Sequence, residues 1–450
     1  MSSQPANPEP APDFDSMLSR KFGKETANYF SGSPLNRVGF LRGDHQFLTQ
    51  ALKHPSTSFL LCNELQPLVN TSQASDRLAW LKFADIKRVV GENPYKSSED
   101  EMLNMYDSRS YVPQLIFLGI DEKRKEDGLR YQGKNVYTGA PHFAVDVTPK
   151  ASVKEECEKL IKDVQGRGLD FAKGRVMGLI ASDAAIYAEA RQLLDWNARN
   201  PFCAQCGQPT LSVNGGFKRT CPPKDLARTN SKSSSGVTNA LSNVPEGPTD
   251  ETARPPCATR KGVSNLSFPR TDPTVIMAVV NHAGDKILLG RSKRFPPYWY
   301  STLAGFAEPA ESIEEAVRRE VYEEAGILVG RVVIHSTQPW PYPANLMIGA
   351  VGQSIPEGEV IDLGNDPELE DAKWYSFEED PRDAALLELG QAVLVADTPV
   401  KIYPALLDRV EDILLADETG ALGLRRSCRL AIRWCDDADS QVGFHGVREP

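Results

Sequence analysis

Along the first half of the chain, short apolar runs alternate with polar turns. Ser58-Phe59-Leu60-Leu61-Cys62, Gln114-Leu115-Ile116-Phe117-Leu118 and His142-Phe143-Ala144-Val145-Asp146-Val147 have the length and content of buried strands. From Asp183 to Trp196 the period changes, with Ile186, Ala190, Leu193 and Leu194 recurring at helical spacing. The span from Asn28 to about Asn197 therefore reads as a mixed α/β domain in which packing explains nearly every residue. Further on, Asp225 to Pro256 is dominated by Ser, Thr, Asn, Pro and Gly. Such a composition buries too little apolar surface to offset the entropy of ordering, so it is expected to be a disordered insertion. Order returns at Arg270, where Val275 to Val280 and Ile287 to Leu289 flank a hairpin turn around Asn281-His282-Ala283-Gly284.

The clearest helical pattern follows. Ile313, Ala316, Val317 and Val321 form one apolar stripe. Ser312 and Glu315 form a capping box, Glu314 and Glu315 suit the positive end of the helix dipole, and Gly326 stands where a left-handed residue ends the helix. Ser312 to Ala325 is thus a predicted helix. Glu320 and Glu324 lie four apart on it, with Glu323 beside them. Like charges at this spacing cost a few tenths of a kcal/mol each, and these sit near the negative end of the dipole. A hard divalent cation removes the conflict, because carboxylate oxygens are what magnesium or manganese prefers. A solvated acidic face is the plainer alternative.

Composition sets the outer limits. At 450 residues the chain exceeds one ordinary core, so two or three domains are expected. Hydrophobic content of 40% with 25% charged residues fits a soluble globular protein, and no run approaches the roughly 20 apolar residues of a membrane span. Met1 to Asp15 lacks an apolar h-region and reads as a disordered tail, and the ending Arg448-Glu449-Pro450 is not a peroxisomal address. A cytoplasmic location is the expectation. The net charge of −10, without a dense basic block, argues against gripping a duplex through many phosphates. One phosphorylated small molecule or one RNA end remains compatible.

Eight cysteines in an intracellular chain point to thiols or metal ligands rather than disulfides. Cys203-Ala204-Gln205-Cys206, followed by Cys221 after fourteen residues, has the spacing of a zinc ribbon. Cys257 is the nearby candidate for a fourth ligand, with 35 residues between it and Cys221. Closing that longer loop costs roughly 2 kcal/mol more than a tight knuckle, against about 10–16 kcal/mol from structural zinc. Four thiolates leave no open position, so the zinc would be structural.

The array Gly305-x5-Glu311-x7-Arg319-Glu320-Val321-x-Glu323-Glu324-x-Gly326-Ile327 resembles the Nudix box at every defined position. The resemblance implies an α/β fold, a Nudix α/β/α sandwich with a mixed sheet, preceded by a zinc ribbon and an N-terminal α+β domain. It implies that Glu320 and Glu324 bind catalytic metals, that Glu323 shares in metal binding or proton transfer, and that Arg319 pairs with Glu311. The carbonyl of Ala304 and the later Glu368 would add metal ligands. The domain boundaries expected are a tail over 1–26, the N-terminal domain over 27–198 and the ribbon over 199–262. The Nudix domain would follow over 263–400, then a divergent tail over 401–450.

After the box comes Ser336-Thr337-Gln338-Pro339-Trp340-Pro341-Tyr342-Pro343-Ala344-Asn345. Three prolines alternating with aromatics give a stiff, extended loop with flat faces suited to a base or nicotinamide ring. A rigid structural loop is the alternative, and both can hold together. The stretch resembles the Ser-Gln-Pro-Trp-Pro-Phe-Pro-x-Ser array of NADH pyrophosphatases, with a Thr before Gln338 and Asn345 at the final Ser. Gln338, Pro339, Trp340, Pro341, Tyr342, Pro343, Ala344 and Asn345 are then the implied substrate-binding set. Phe306 would join from the same subunit and Phe268 from a homodimer partner. The segments Gly32 to Arg37, Leu194 to Arg199 and Phe268 to Pro273 also look like fungal members of that subfamily. A closing proline-led helix with Ala-Ile-Ala, usual there, is not found after Asp380, and peroxisomal placement rests on the family alone. The implied reaction is hydrolysis of NADH or NAD to nicotinamide mononucleotide and AMP. Removal of NAD caps from RNA, hydrolysis of ADP-ribose, and a non-catalytic sensor or scaffold are the rivals.

Overall fold

The computed structural model describes residues 7–10, 16–22, 25–70, 76–230, 252–295, 299–365, 368–376 and 394–395. Expectations for the 401–450 tail, for most of the first fifteen residues and for the interior of the 225–256 insertion lie outside these residues. Within the amino-terminal stretch read as disordered, Met17–Phe22 is helical.

The N-terminal unit is built on a seven-stranded sheet. Its strands are β1 (Ser58–Asn63), β2 (Gln66–Asn70), β3 (Trp80–Leu81), β4 (Leu115–Asp121), β5 (Leu129–Gln132), β6 (Val136–Asp146) and β7 (Leu169–Phe171). The path runs β4-β6-β1-β2-β7, with β3 on β1 and β5 on β6. β1 and β6 are parallel, pairing Phe59 with Phe143 and Leu61 with Val145. Alternation along the strands sends Phe59, Leu61, Phe117, Phe143 and Val145 into one core, which includes residues of the helices His45–Lys53, Phe83–Val90 and Lys154–Gly166. Leu60, Cys62, Ile116, Leu118 and Ala144 face the other way, against the helix Ala181–Arg199. Both faces are buried, which is why these strands read as continuous apolar runs.

A two-stranded hairpin follows, β8 (Leu211–Val213) with β9 (Lys218–Thr220). The third unit is a six-stranded mixed sheet. It contains β10 (Asp272–Val280), β11 (Lys286–Ser292), β13 (Leu303–Phe306), β14 (Val329–Trp340), β15 (Asn345–Ser354) and β16 (Leu369–Ser376), while β12 (Trp299–Tyr300) stands apart from it. The order is β14-β15-β10-β11-β16, with β13 on β10, and β10 and β15 run parallel. The helix Ile313–Ala325 covers one face, where Val275, Met277, Val279 and Leu303 meet Ala316, Val317, Val321 and Ala325. Each such fully buried Val or Leu contributes about 1.5–3 kcal/mol. Ile276, Ala278 and Val280 point to the opposite face, with Trp340 and Met177 packed against them.

The first and third units are joined by specific contacts. The fully buried Asn28 donates to Ser336 Oγ at 3.2 Å and to the Thr337 carbonyl at 2.9 Å. Among the described residues no helix is long and apolar enough to cross a membrane.

Candidate active site and cysteine cluster

The acidic helix begins as its sequence dictates. Ser312 Oγ accepts from the Glu315 amide at 3.2 Å and Glu315 Oε2 accepts from the Ser312 amide at 2.8 Å. At the other end Gly326 adopts φ 70° and donates to the Tyr322 carbonyl. Between these caps the apolar stripe fixes the helix on the sheet, and that orientation decides where the carboxylates go. Glu324 is buried, Glu320 nearly so, and Glu323 is about half exposed.

Arg319 organises the entry to this helix. Its Nε donates to Glu311 Oε1 at 2.6 Å and its Nη2 to Glu311 Oε2 at 2.9 Å. Nη2 also reaches the Phe306 carbonyl at 2.9 Å, so the loop from β13 to the helix is tied down at both ends. Nη1 donates to Glu320 Oε1 and Glu323 Oε2, each at 3.0 Å. Charge-assisted bonds from Arg319 hold Glu311 below the usual carboxylate range. Glu320 shifts the other way, raised chiefly by burial against the opposing pull of Arg319.

Gly305 explains itself through Glu320. A Cβ placed on Gly305 would stand 2.0 Å from Glu320 Cδ and 2.2 Å from both carboxylate oxygens. Only glycine leaves space for that carboxylate against the strand. The donor set is hard oxygen throughout, with two buried carboxylates one helical turn apart, and fits magnesium or manganese better than softer metals. Glu368 is exposed where β16 begins, and the next residue, Leu369, meets Leu303 of β13 across Gly290. No three of Glu320, Glu323, Glu324 and Glu368 bring carboxylate oxygens within 4.8 Å of one another, and Arg319 holds two of them.

Strand register brings the box and the aromatic-proline stretch into shared rows. Phe306 pairs with Thr274, Thr274 with Met347, and Met347 with Gln338. One row over, Gly305, Val275, Ile348 and Thr337 line up, and in the next Ala304, Ile276, Gly349 and Ser336. The two motifs therefore stand about 14 Å apart across three strand spacings, at the same end of the sheet. Gln338 is fully buried, and neither atom of its amide finds a hydrogen-bond partner. Asn345 is buried as well, donating to Thr274 Oγ1 at 3.0 Å while its own Oδ1 is left over. Buried amides without partners are uncommon and call for an explanation such as a ligand or water.

The cysteines form a second centre. The Sγ atoms of Cys203, Cys206, Cys221 and Cys257 all lie within 4.8 Å of one another, a spacing able to hold a metal ion. Cys257 completes the set despite its distance in sequence. The two edges of the intervening stretch are ordered and clasped, in contrast to the disorder expected from 225 onward. Asp225 and Arg254 form an ion pair whose side chains are 5% and 0% exposed. Beside it, the Asp225 amide donates to the Thr252 carbonyl at 2.9 Å and the Arg254 amide to Pro223 at 2.8 Å. Residues 231–251 lie outside the described residues.

Comparison with known proteins matches this architecture unit by unit. A NUDIX domain model covers residues 270–395, an NADH pyrophosphatase-like rudimentary NUDIX domain model 56–196, and an NADH pyrophosphatase zinc ribbon model 198–225. An NAD-capped RNA hydrolase of Schizosaccharomyces pombe is 33% identical over 366 residues, which span 80% of this chain and 87% of that protein. The chain belongs to the NADH pyrophosphatase type of Nudix hydrolases. The NAD-capped RNA hydrolase NPY1 of Saccharomyces cerevisiae is 33% identical, over 78% of this chain and 85% of that one. The human NAD-capped RNA hydrolase NUDT12 is 33% identical, over 79% and 68%.

In this Nudix hydrolase the aromatic-proline loop is largely committed to the N-terminal unit. Trp340 and Tyr342 pack edge-on to each other at 5.3 Å and to Phe30 at 6.0 and 6.2 Å. The Val176 amide donates to Tyr342 Oη at 2.9 Å, and Arg191 lies 4.5 Å over the Tyr342 ring and donates to the Pro341 carbonyl. The structural role of this loop is therefore real, and its rings are not free faces. Pro343 and Ala344 continue the turn into β15. Phe306, 58% exposed, is the ring beside the box that stays open. Phe268, expected to reach the site from a second subunit, lies beside Gly262 within its own chain. Asn28, Arg191 and Val176 were not legible as loop partners, since nothing in their local pattern distinguishes them from packing residues.

Proposed function

We propose that this hydrolase cleaves the pyrophosphate of NADH and NAD, releasing nicotinamide mononucleotide and AMP. The observation that carries the reading is the shared row that sets Gly305, beside Glu320, in line with Thr337 of the aromatic-proline stretch. A dinucleotide with its pyrophosphate at the carboxylates lies along the row of Gly305, Val275, Ile348 and Thr337, on the sheet face that the helix covers, while Gln338 points to the opposite face. Glu320, Glu324, the Ala304 carbonyl and Glu368 would hold magnesium or manganese. Bound there, the metal lowers the pKa of water and neutralises phosphate charge. Glu324, buried at the end of the helix, takes the proton from the attacking water, while Glu323 keeps Arg319 in place. Zinc on Cys203, Cys206, Cys221 and Cys257 is structural. The enzyme acts as a homodimer, in which Phe268 of one subunit approaches the site of the other.

A second reading, removal of NAD caps from RNA, is favoured by the names carried by the relatives and uses the same residues. The two separate by rate. Purified protein given equal concentrations of NADH, ADP-ribose and NAD-capped RNA, with magnesium or manganese, is expected to cleave NADH at the highest kcat/KM. The readout is AMP from NADH and ADP-ribose, and nicotinamide mononucleotide with 5'-monophosphate RNA from the capped RNA. A higher value on capped RNA moves the assignment to cap removal, and a higher value on ADP-ribose overturns both.

A further inference from the structure

Where the three units of the chain meet, a cavity of about 360 Å³ is lined by Arg37, Arg42 and Glu189 from the N-terminal unit. Phe217, Arg270 and Pro339 line its other sides. Glu189 lies on the helix Ala181–Arg199 with its side chain 3% exposed, and neither carboxylate oxygen receives a hydrogen bond. Arg37 Nε stands 3.5 Å from one oxygen and Arg42 Nη2 4.0 Å from the other, within electrostatic reach but beyond good hydrogen-bond geometry. The Nε of Arg42 is buried and also lacks a partner, while its guanidinium lies 3.2 Å over the Phe217 ring. A buried carboxylate and a largely buried guanidinium facing one cavity, each with unused hydrogen-bonding capacity, are costly unless something fills the gap.

We propose that this cavity is a binding site for a nucleoside monophosphate, separate from the catalytic box. Guanidinium groups on Arg37, Arg42 and Arg270 present the forked donors that match a phosphate. Glu189 has two oxygens without hydrogen-bond partners, which suits a ligand that also carries hydroxyl or amine groups, as a ribose and a base do. Three guanidinium groups against one carboxyl group leave the cavity net positive, the complement of a phosphate monoester. The volume lies at the small end of ligand pockets, which suits a mononucleotide. None of the lining residues belongs to the segment 304–327; Pro339 is the one residue the cavity shares with the aromatic-proline stretch, and the site does not rest on the hydrolysis proposed above.

The test is calorimetric titration of the full-length protein with AMP, inorganic phosphate and adenosine, without added divalent metal. Wild type, Glu324→Gln, Arg37→Ala and Glu189→Gln are compared. Arg37 is 58% exposed, so its truncation leaves the fold intact, and Glu189→Gln keeps the side-chain volume. AMP is expected to bind wild type and Glu324→Gln alike, more tightly than phosphate or adenosine alone. Arg37→Ala and Glu189→Gln should each weaken it roughly tenfold or more. Absence of AMP binding to wild type overturns the proposal. So does AMP binding that is unchanged in Arg37→Ala and Glu189→Gln, because that binding belongs elsewhere.

Discussion

The guanidinium of Arg319 lies fork to fork with the carboxylate of Glu311, Nε 2.6 Å from one oxygen and Nη2 2.9 Å from the other. The pair ties the loop after β13 to the middle of the helix that carries Glu320 and Glu324. Since Nη2 also reaches the Phe306 carbonyl, the backbone beside Ala304 and Gly305 is fixed by the same side chain. Positioning of the box therefore depends on geometry as much as on charge.

Arg319→Lys keeps the charge and removes the fork. NADH hydrolysis should fall roughly ten- to a hundredfold, with the melting temperature near that of wild type. An unchanged rate would mean that the loop is held by something other than this pair.

Gly305→Ala should be more damaging than its single methyl suggests. The added carbon would sit 2.0 Å from Glu320 Cδ, so the carboxylate has to move. A displacement near 1 Å at a reacting centre costs about a hundredfold in rate, and the half-saturating magnesium concentration should rise alongside. Steady-state kinetics across a magnesium series reads both effects, and wild-type magnesium dependence in the variant would contradict the assignment of Glu320.

The clasp at the base of the insertion should carry stability rather than activity. Asp225→Ala leaves Arg254 buried without its partner, at a cost of about 3–5 kcal/mol. Urea denaturation should show that loss while the folded protein retains one equivalent of zinc. Cys257→Ser, by contrast, should lose the zinc itself. Full stability in Asp225→Ala would show the pair to be dispensable for closing the loop.

Glu189 gives the protein a stability that depends on pH. Burial pushes its carboxyl up to about 7 despite Arg37 and Arg42, from an ordinary value of 4.5. The folded state thus holds this proton more tightly than the unfolded one. Its contribution is fully present below about pH 4.5 and is lost as pH rises through about 7, amounting to about 3 kcal/mol at most. Glu189→Gln should therefore gain on wild type between pH 5 and 8 when unfolding midpoints are compared. Parallel pH profiles would show that Glu189 does not titrate in this window.

Much of this architecture is legible in the sequence because local signals and tertiary packing agree. The runs at Ser58, Gln114 and His142 are strands whose faces are both covered, and the Ser312–Gly326 helix has caps, stripe and stop in one segment. Cys257 is reachable because thiols offer few alternative partners. Other features depend on contacts that sequence spacing does not encode. Composition marks 225–256 as unable to order, yet Asp225 and Arg254 at its edges bury their charges against each other. Trp340 and Tyr342 read as faces for a ligand, but which element covers an aromatic ring is decided by the fold, and here it is the N-terminal unit. Glu189 leaves one trace, a carboxylate within the otherwise apolar run from Ala184 to Ala190.

The most direct test of the central claim is AMP release from NADH by zinc-loaded wild type and Glu324→Gln, with and without magnesium or manganese. The account predicts rapid release by wild type that requires the added metal, and a loss of at least a hundredfold in the variant at unchanged zinc content. Release without added divalent metal, or equal release by Glu324→Gln, would contradict it.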